Sequence, residues 1–362
     1  MKQINIGMVV LAILLFACSK NKGQDSAPVP TPLPPRVPGL YVTAGTWTTN
    51  SPGFSIFPRY FKNGRDTIIR DSNGNQITGR FQIVSDTLYI LGAVSSVPTL
   101  WKNGVVTPIT NPPLFSTIVD FGVSGSDLYI LYSEVGAGPN PPRSTKLWKN
   151  GQVTTLQVDG WTTPFRLIIS GSDIYVFAYY GDLAASKIRV WKNGQLSNIT
   201  SASNNRIVPT NAAVNNGDVY VSGYEQLLTG ITVATIWKNG VPIRLTNGTF
   251  NANANNIVVS GTDVYAVGYE GNSIFPGLNR PVAKMWKNGV ATSLTTGIFN
   301  ATANSIVLVG SDIYIGGNED VQQPNFQSDN FTSSSVKVWK NGVATTYTDG
   351  TTHAELYQMY YY

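Results

Sequence analysis

Two sets of polar residues recur at fixed distances from a repeated tyrosine, and both could do chemistry. The tyrosines are Tyr89, Tyr129, Tyr175, Tyr220, Tyr265 and Tyr314. Five residues after them stand Glu134, Glu225, Glu270 and Glu319, with Tyr180 once in the same place. Nine residues before them stand Arg80, Asp120, Arg166, Asn211, Asn256 and Ser305; Glu355 takes that place near the C-terminus, to within a residue. If each set lines a common opening, it forms a polar, mixed-charge collar of the kind that binds a ligand. Paired carboxylates at the right separation could also hydrolyse a glycosidic bond. The plainer alternative is that polar residues at strand ends solvate a water-filled channel.

Other chemistry finds little support. His353 is the only histidine, which by count leaves neither a His-based triad nor a zinc centre. Asp71-Ser72-Asn73-Gly74-Asn75 starts like a calcium loop, but Gln76 and Gln82 stand where that loop needs Gly and Glu. No catalytic residues, metal or cofactor are therefore expected, and a carboxylate-dependent polysaccharide hydrolase or lyase is the alternative to a binding module.

The elements that must position these residues are repeats. Phe61-Lys62-Asn63-Gly64 is followed by Trp-Lys-Asn-Gly starting at Trp101, Trp148, Trp191, Trp237, Trp286 and Trp339. A second motif, as in Ser126-Asp127-Leu128-Tyr129-Ile130, precedes each, with a shortened form at Tyr41. Residues 39–362 shared among seven units give roughly 46 each, the size of one propeller blade. Charged residues are 12%, with 35 Gly and 18 Tyr, a mixture suited to strands and turns.

Each unit reads as four strands, A to D. In the sixth, 255–260 is strand A, 263–269 strand B, 283–287 strand C, and Val290, Thr292 and Leu294 mark strand D. Asn288-Gly289 between C and D is a strong hairpin signal, because a type I′ turn needs positive φ twice. The Trp of strand C has the bulk to fill the gap between neighbouring sheets. The first unit begins at strand B, with Leu40-Tyr41-Val42, and the orphan segment 354–362 has strand A character. The expected fold is all-β: a seven-bladed β-propeller of four-stranded antiparallel blades, closed by the C-terminal strand pairing in the N-terminal blade. The connections 136–144, 225–232, 270–281 and 319–335 are the most varied, which marks the face that carries them as the binding face.

The first 38 residues differ from the rest. Lys2 precedes an apolar run at 6–16, too short to span a bilayer and suited to a secretory signal. The run ends Leu15-Phe16-Ala17-Cys18, which resembles the lipobox of bacterial lipoproteins; Cys18, the single cysteine, is then the lipidation site. Residues 19–38 form a Pro-rich, extended linker. Within it Asp25-Ser26-Ala27 resembles an O-glycosylation acceptor of Bacteroidota.

Signal and repeats together resemble Bacteroidota lipoproteins built of Trp-Lys-Asn-Gly propeller repeats. The resemblance implies a lipid-anchored protein of the outer membrane, facing the periplasm or the cell surface, and is silent on ligand. The function expected is a non-catalytic binding or scaffold propeller for a glycan or an envelope protein, acting as a monomer. Nucleic acid is not an expected partner. The net charge of +5 comes largely from Lys62, Lys102, Lys149, Lys192, Lys238, Lys287 and Lys340, which share a face with Asp127, Asp173, Asp218, Asp263 and Asp312.

Overall fold

The computed structural model describes residues 39–361 apart from 49–54, 68–69, 71–76, 78, 85–86, 95–96, 108, 110–115, 136–142, 159–161, 182–186, 200–204, 272–279, 322–332 and 352. Cys18, Ser26, the linker and the Asp71–Asn75 stretch lie outside the described residues. Within them there are 28 strands and no helix.

The strands pair as antiparallel meanders of four, in chain order from inner strand A to outer strand D. Sheets 2 to 6 span 80–107, 116–158, 162–199, 206–244 and 252–293, and sheet 7 spans 301–346. Sheet 1 takes strands B to D from 40–67 and its inner strand, His353–Tyr361, from the other end of the chain. Leu40 pairs with Tyr361, Val42 with Met359 and Trp47 with His353. A single parallel bridge, Ser334 with His353, joins sheet 7 to sheet 1.

Seven hydrophobic clusters lie between consecutive sheets. Leu91 and Leu100 meet Ile130 and Trp148; Leu131 meets Leu167 and Trp191; Phe177 and Ile188 meet Ile207 and Trp237. Ile236 meets Ile257 and Trp286, and Val267 meets Ile306 and Trp339. Val336 and Val338 of sheet 7 meet Leu356 and Phe61 of sheet 1, while Tyr60 of sheet 1 meets Phe81 and Trp101 of sheet 2. Every strand C aromatic is therefore a wedge between two sheets, with Trp237 and Trp286 fully buried. A buried indole removes on the order of 200 Å² from water, roughly 5 kcal/mol gross at about 25 cal/mol per Å².

The inner strands depart from the expected alternation. Register slips by one residue at Val119, Phe165, Thr210, Asn255, Asn304 and Tyr357, a β-bulge repeated at mid-strand in six sheets. In the sixth sheet the inner strand is Ala252–Ser260 rather than 255–260, because the bulge at Asn255 breaks the period-two pattern that would extend it. Glycines make the bulge possible in sheets 5 to 7. A Cβ on Gly223, Gly268 or Gly317 would lie 2.1, 1.8 or 1.9 Å from the carbonyl oxygen of Val208, Asn253 or Thr302.

Candidate functional site

The Lys-Asn-Gly turn is a clamp. Asn63, Asn103, Asn150, Asn193, Asn239, Asn288 and Asn341 all sit at φ between 45° and 51°, which Asn tolerates better than other side-chain-bearing residues. Each side-chain oxygen accepts a hydrogen bond from the backbone N–H opening strand B, for example Val264 N to Asn288 Oδ1 at 2.8 Å. In sheets 3 to 7 the Asn amide also donates to the turn aspartate, at 2.8 Å in each case. The lysine ion-pairs with the same aspartate at 2.7–2.9 Å. Its ammonium also lies over the strand B tyrosine in all seven sheets. Hydrogen bonds from Lys149, Lys192, Lys287 and Lys340 hold Asp127, Asp173, Asp263 and Asp312 below the usual carboxylate range; at Asp218 the Asn239 amide is the larger cause. The most repeated motif of the chain is thus spent on joining its two hairpin turns.

The glutamate ring is also braced. Glu134, Glu270 and Glu319 ion-pair with Lys146, Lys284 and Lys337 of their own strand C. Tyr180 lies 3.9 Å under the guanidinium of Arg189, which occupies the same strand C position. Glu225 is fully buried and takes its cation from strand D, with Arg244 Nη2 at 2.7 Å and Nε at 3.0 Å. These carboxylates stand in separate sheets, each paired with a cation of its own.

The second ring stands directly after the bulge of the inner strands. Asp120, Arg166, Asn256 and Ser305 are each the fifth of nine residues in their inner strand, directly after the bulge, and Asn211 likewise follows its bulge. Arg80 holds the equivalent place opposite Leu91. Glu355 does not: the residue after the bulge in sheet 1 is Gln358, opposite Thr43, so Glu355 lies three residues away, near the end of its strand. Several ring members staple neighbouring inner strands. Asp120 accepts from its own Phe121 N and from Leu167 N of sheet 4, both at 3.0 Å. Asn256 accepts from Ile257 N at 2.8 Å and donates to Asn304 O at 3.3 Å. Ser305 Oγ accepts from Met359 N at 3.1 Å, and Asn211 caps Ala212 N at 2.8 Å.

What the sequence reading missed is a depression of about 340 Å³ between sheets 6, 7 and 1, at the end of the sheets that carries the varied connections. Tyr269, Asn300, Asn304, Asn318, Asp320, His353 and Glu355 line it. Asn300 Nδ2 donates to Asp320 Oδ2 at 2.9 Å. Burial pushes the Asp320 carboxyl up, against the Asn300 hydrogen bond and the charges of His353 and Arg280. Glu319-Asp320, two acids where sheets 3, 5 and 6 carry one, was the signal available in the sequence.

His353 does meet a serine and a carboxylate here, which a count of histidines could not exclude. Ser334 Oγ is 3.2 Å from His353 Nδ1, and Glu355 Oε1 is 3.4 Å from Nε2. The serine is not set up as a nucleophile. It is 2% exposed, and its hydroxyl donates to Ala354 O at 2.7 Å and accepts from Ala354 N at 3.2 Å. The repeat supplies the comparison: Thr232 and Asn251 form the same pair between sheets 5 and 6, two interfaces earlier, with Ala252 N donating to Thr232 Oγ1 at 3.1 Å. Ser334–His353 is that clamp with His in place of Asn. Between sheets 6 and 7 the hydroxyl residue is replaced by Pro281, which leaves Asn300 to turn toward Asp320, and there the depression opens.

No family model and no curated protein matches the sequence. Solved structures do match in fold. A puromycin-hydrolyzing peptidase from Mycobacterium tuberculosis superposes with TM-score 0.56 at 10% identity, over 85% of this chain and 54% of that one. An acylaminoacyl peptidase from Pyrococcus horikoshii gives 0.53 at 9% identity, over 86% and 52%. The chain spans about half the length of these two. The β-propeller domain of the Trilobed protease from Pyrococcus furiosus, described as having an open velcro topology, gives 0.50 at 10% identity, over 87% and 95%. Here, by contrast, the terminal strands are paired. At such identities the likeness is one of fold: the chain is an all-β protein of the β-propeller type.

Proposed function

We propose that this chain is a non-catalytic binding propeller of the cell envelope, closed as a ring of seven blades, that takes a neutral glycan into the depression between sheets 6, 7 and 1. The supporting observation is the lining. Three side-chain amides, the carboxyls of Asp320 and Glu355, His353 and a tyrosine converge on one concave surface, and such groups offer directional donors and acceptors beside an apolar ring face. The volume suits one or two sugar units. Outside it, Asp120, Glu225 and Glu270, carboxylates of the two polar sets, are each held by backbone N–H groups or a basic side chain.

Anchoring through Cys18 to the outer membrane, on its periplasmic or outer face, belongs to the same proposal and rests on the signal-like N-terminus. Metabolic labelling with an alkyne fatty acid should mark the wild type and not Cys18→Ser. The binding reading is tested on a glycan array followed by calorimetry. A neutral saccharide should bind, and Asn300→Ala and Tyr269→Ala should each weaken it at least tenfold. An array without hits, or unchanged affinity in both variants, would overturn the site. Turnover of a bound saccharide that is lost in Asp320→Asn would favour the hydrolase or lyase alternative.

A further inference from the structure

A second cavity, of about 370 Å³, lies among the inner strands of sheets 2, 3 and 4, toward their A–B turns and away from the depression described above. Arg166, Gln82, Ser124, Gly125 and Gly171 are among its lining residues. Its charge is unlike that of the rest of the ring. The residues that follow the bulge are neutral in sheets 5, 6, 7 and 1, at Asn211, Asn256, Ser305 and Gln358. In sheets 2 to 4 they are Arg80, Asp120 and Arg166.

Those three do not cancel. Both oxygens of Asp120 already accept backbone N–H groups, from Phe121 and Leu167. Arg166 Nη1 approaches it at 3.4 Å. The buried Nε of Arg166 has no hydrogen-bond partner. Arg80 is exposed and makes no hydrogen bond or salt bridge among the described residues. Gln82, which lines the cavity, spends its oxygen on Val123 N at 3.1 Å and keeps its amide N–H groups as donors. The phenol of Tyr360, in the C-terminal strand, lies within electrostatic reach of Arg166, Asp120 and Arg80, and burial keeps it protonated as a donor well beyond the usual range. Arg166 and Gln82 therefore bring positive charge and donors to the cavity wall, with the charge of Arg80 close behind. An unsatisfied guanidinium in a partly desolvated site gains most from a planar oxyanion that it can bind with two parallel N–H bonds.

We propose that this cavity is a second binding site, specific for a carboxylate, with Arg166 as the fork that grips it, Gln82 as a supporting donor and Arg80, outside the lining, as a neighbouring positive charge. The carboxylate could be that of a free organic acid or of a uronic acid unit within a chain. It is independent of the loop-face depression, whose amides select a neutral ligand.

The test uses the folded protein and D-glucuronate, with D-glucose as its uncharged counterpart and acetate as the free-acid probe, by calorimetry at low ionic strength. Glucuronate should bind and glucose should not bind at this cavity. Arg166→Lys, which keeps the charge but loses the fork, and Arg80→Gln should each weaken glucuronate at least fivefold, while Asn300→Ala leaves it unchanged. Acetate equal to glucuronate would identify the carboxylate alone as the ligand; glucuronate tighter than acetate would point to a uronate within a glycan. Should Arg166→Lys not fold, the exposed Arg80→Gln carries the test. Glucuronate binding no tighter than glucose, or affinity unchanged in both arginine variants, would overturn the proposal.

Discussion

Truncating Arg244 separates a bracing glutamate from a ligand-binding one. Glu225 is wholly buried, and Arg244 gives it hydrogen bonds at 2.7 and 3.0 Å; Asn205 Nδ2 gives another at 3.3 Å. Breaking a buried ion pair costs about 3–5 kcal/mol, because the surviving charge is stranded. The Arg244 side chain is itself 50% exposed, so water screens part of the pair, and about 2–3 kcal/mol is expected for Arg244→Ala. The repeat provides its own control. Glu134 occupies the same position in sheet 3 but is 40% exposed beside Lys146, so Lys146→Ala should cost no more than about 1 kcal/mol. Adding Glu225→Gln to Arg244→Ala removes the buried charge that has lost its arginine and should recover about 1 kcal/mol. Urea unfolding followed by tryptophan fluorescence reports all four proteins, since the indoles lie between sheets. Arg244→Ala within about 0.5 kcal/mol of wild type, or no worse than Lys146→Ala, would refute the reasoning.

Further outcomes follow from the same geometry. Asn288→Gly keeps the positive φ and loses two hydrogen bonds, whereas Asn288→Ala loses both features, so thermal melts should rank wild type above Gly above Ala, with about 1 kcal/mol per step; Ala equal to Gly would refute the turn argument. Gly268→Ala drives a Cβ into Asn253 O and should cost about 2 kcal/mol or more, which unfolding midpoints would show; no loss would mean that the bulge relaxes freely. Lowering the pH should act through the turn aspartates. Their native carboxyls are held below the usual value, so the stability they give is present above the ordinary carboxylate range and is lost as pH falls through the depressed native range. Asp320 has the opposite sign: its native carboxyl is raised, so it lowers stability once pH exceeds the ordinary range. Asp320→Asn should therefore melt higher than wild type at pH 7 and equal to it at pH 3, and the reverse order would contradict the burial argument.

Much of the architecture was legible because the signals are local and repeated. A Trp-Lys-Asn-Gly turn needs positive φ at two adjacent residues, and the complementary ends at Tyr41 and 354–362 show where one sheet is shared. The bulges were not legible. Inserting Asn255 or Tyr357 shifts every residue before it to the other face; counting back from the strand B tyrosine gives Arg80 and Asp120 the same register position, while Glu355, with no such tyrosine after it, falls three residues away. Partners were equally hidden: Lys146 and Glu134 are 12 residues apart, and only the pleat brings them together. The depression escaped notice because it arises from one missing clamp, Pro281, set against the intact Thr232–Asn251 and Ser334–His353 pairs.

The account stands on the inner strand of sheet 1 coming from the far end of the chain. Val42 and Met359 are paired residues of the terminal strands, both buried. In a Cys18→Ser background, the Val42→Cys/Met359→Cys double variant should oxidise to a disulfide that closes nearly the whole described chain into a loop, run with altered mobility on a non-reducing gel, and keep the wild-type β signal by circular dichroism. Two thiols that stay free and react fully with a maleimide in the folded protein would contradict it.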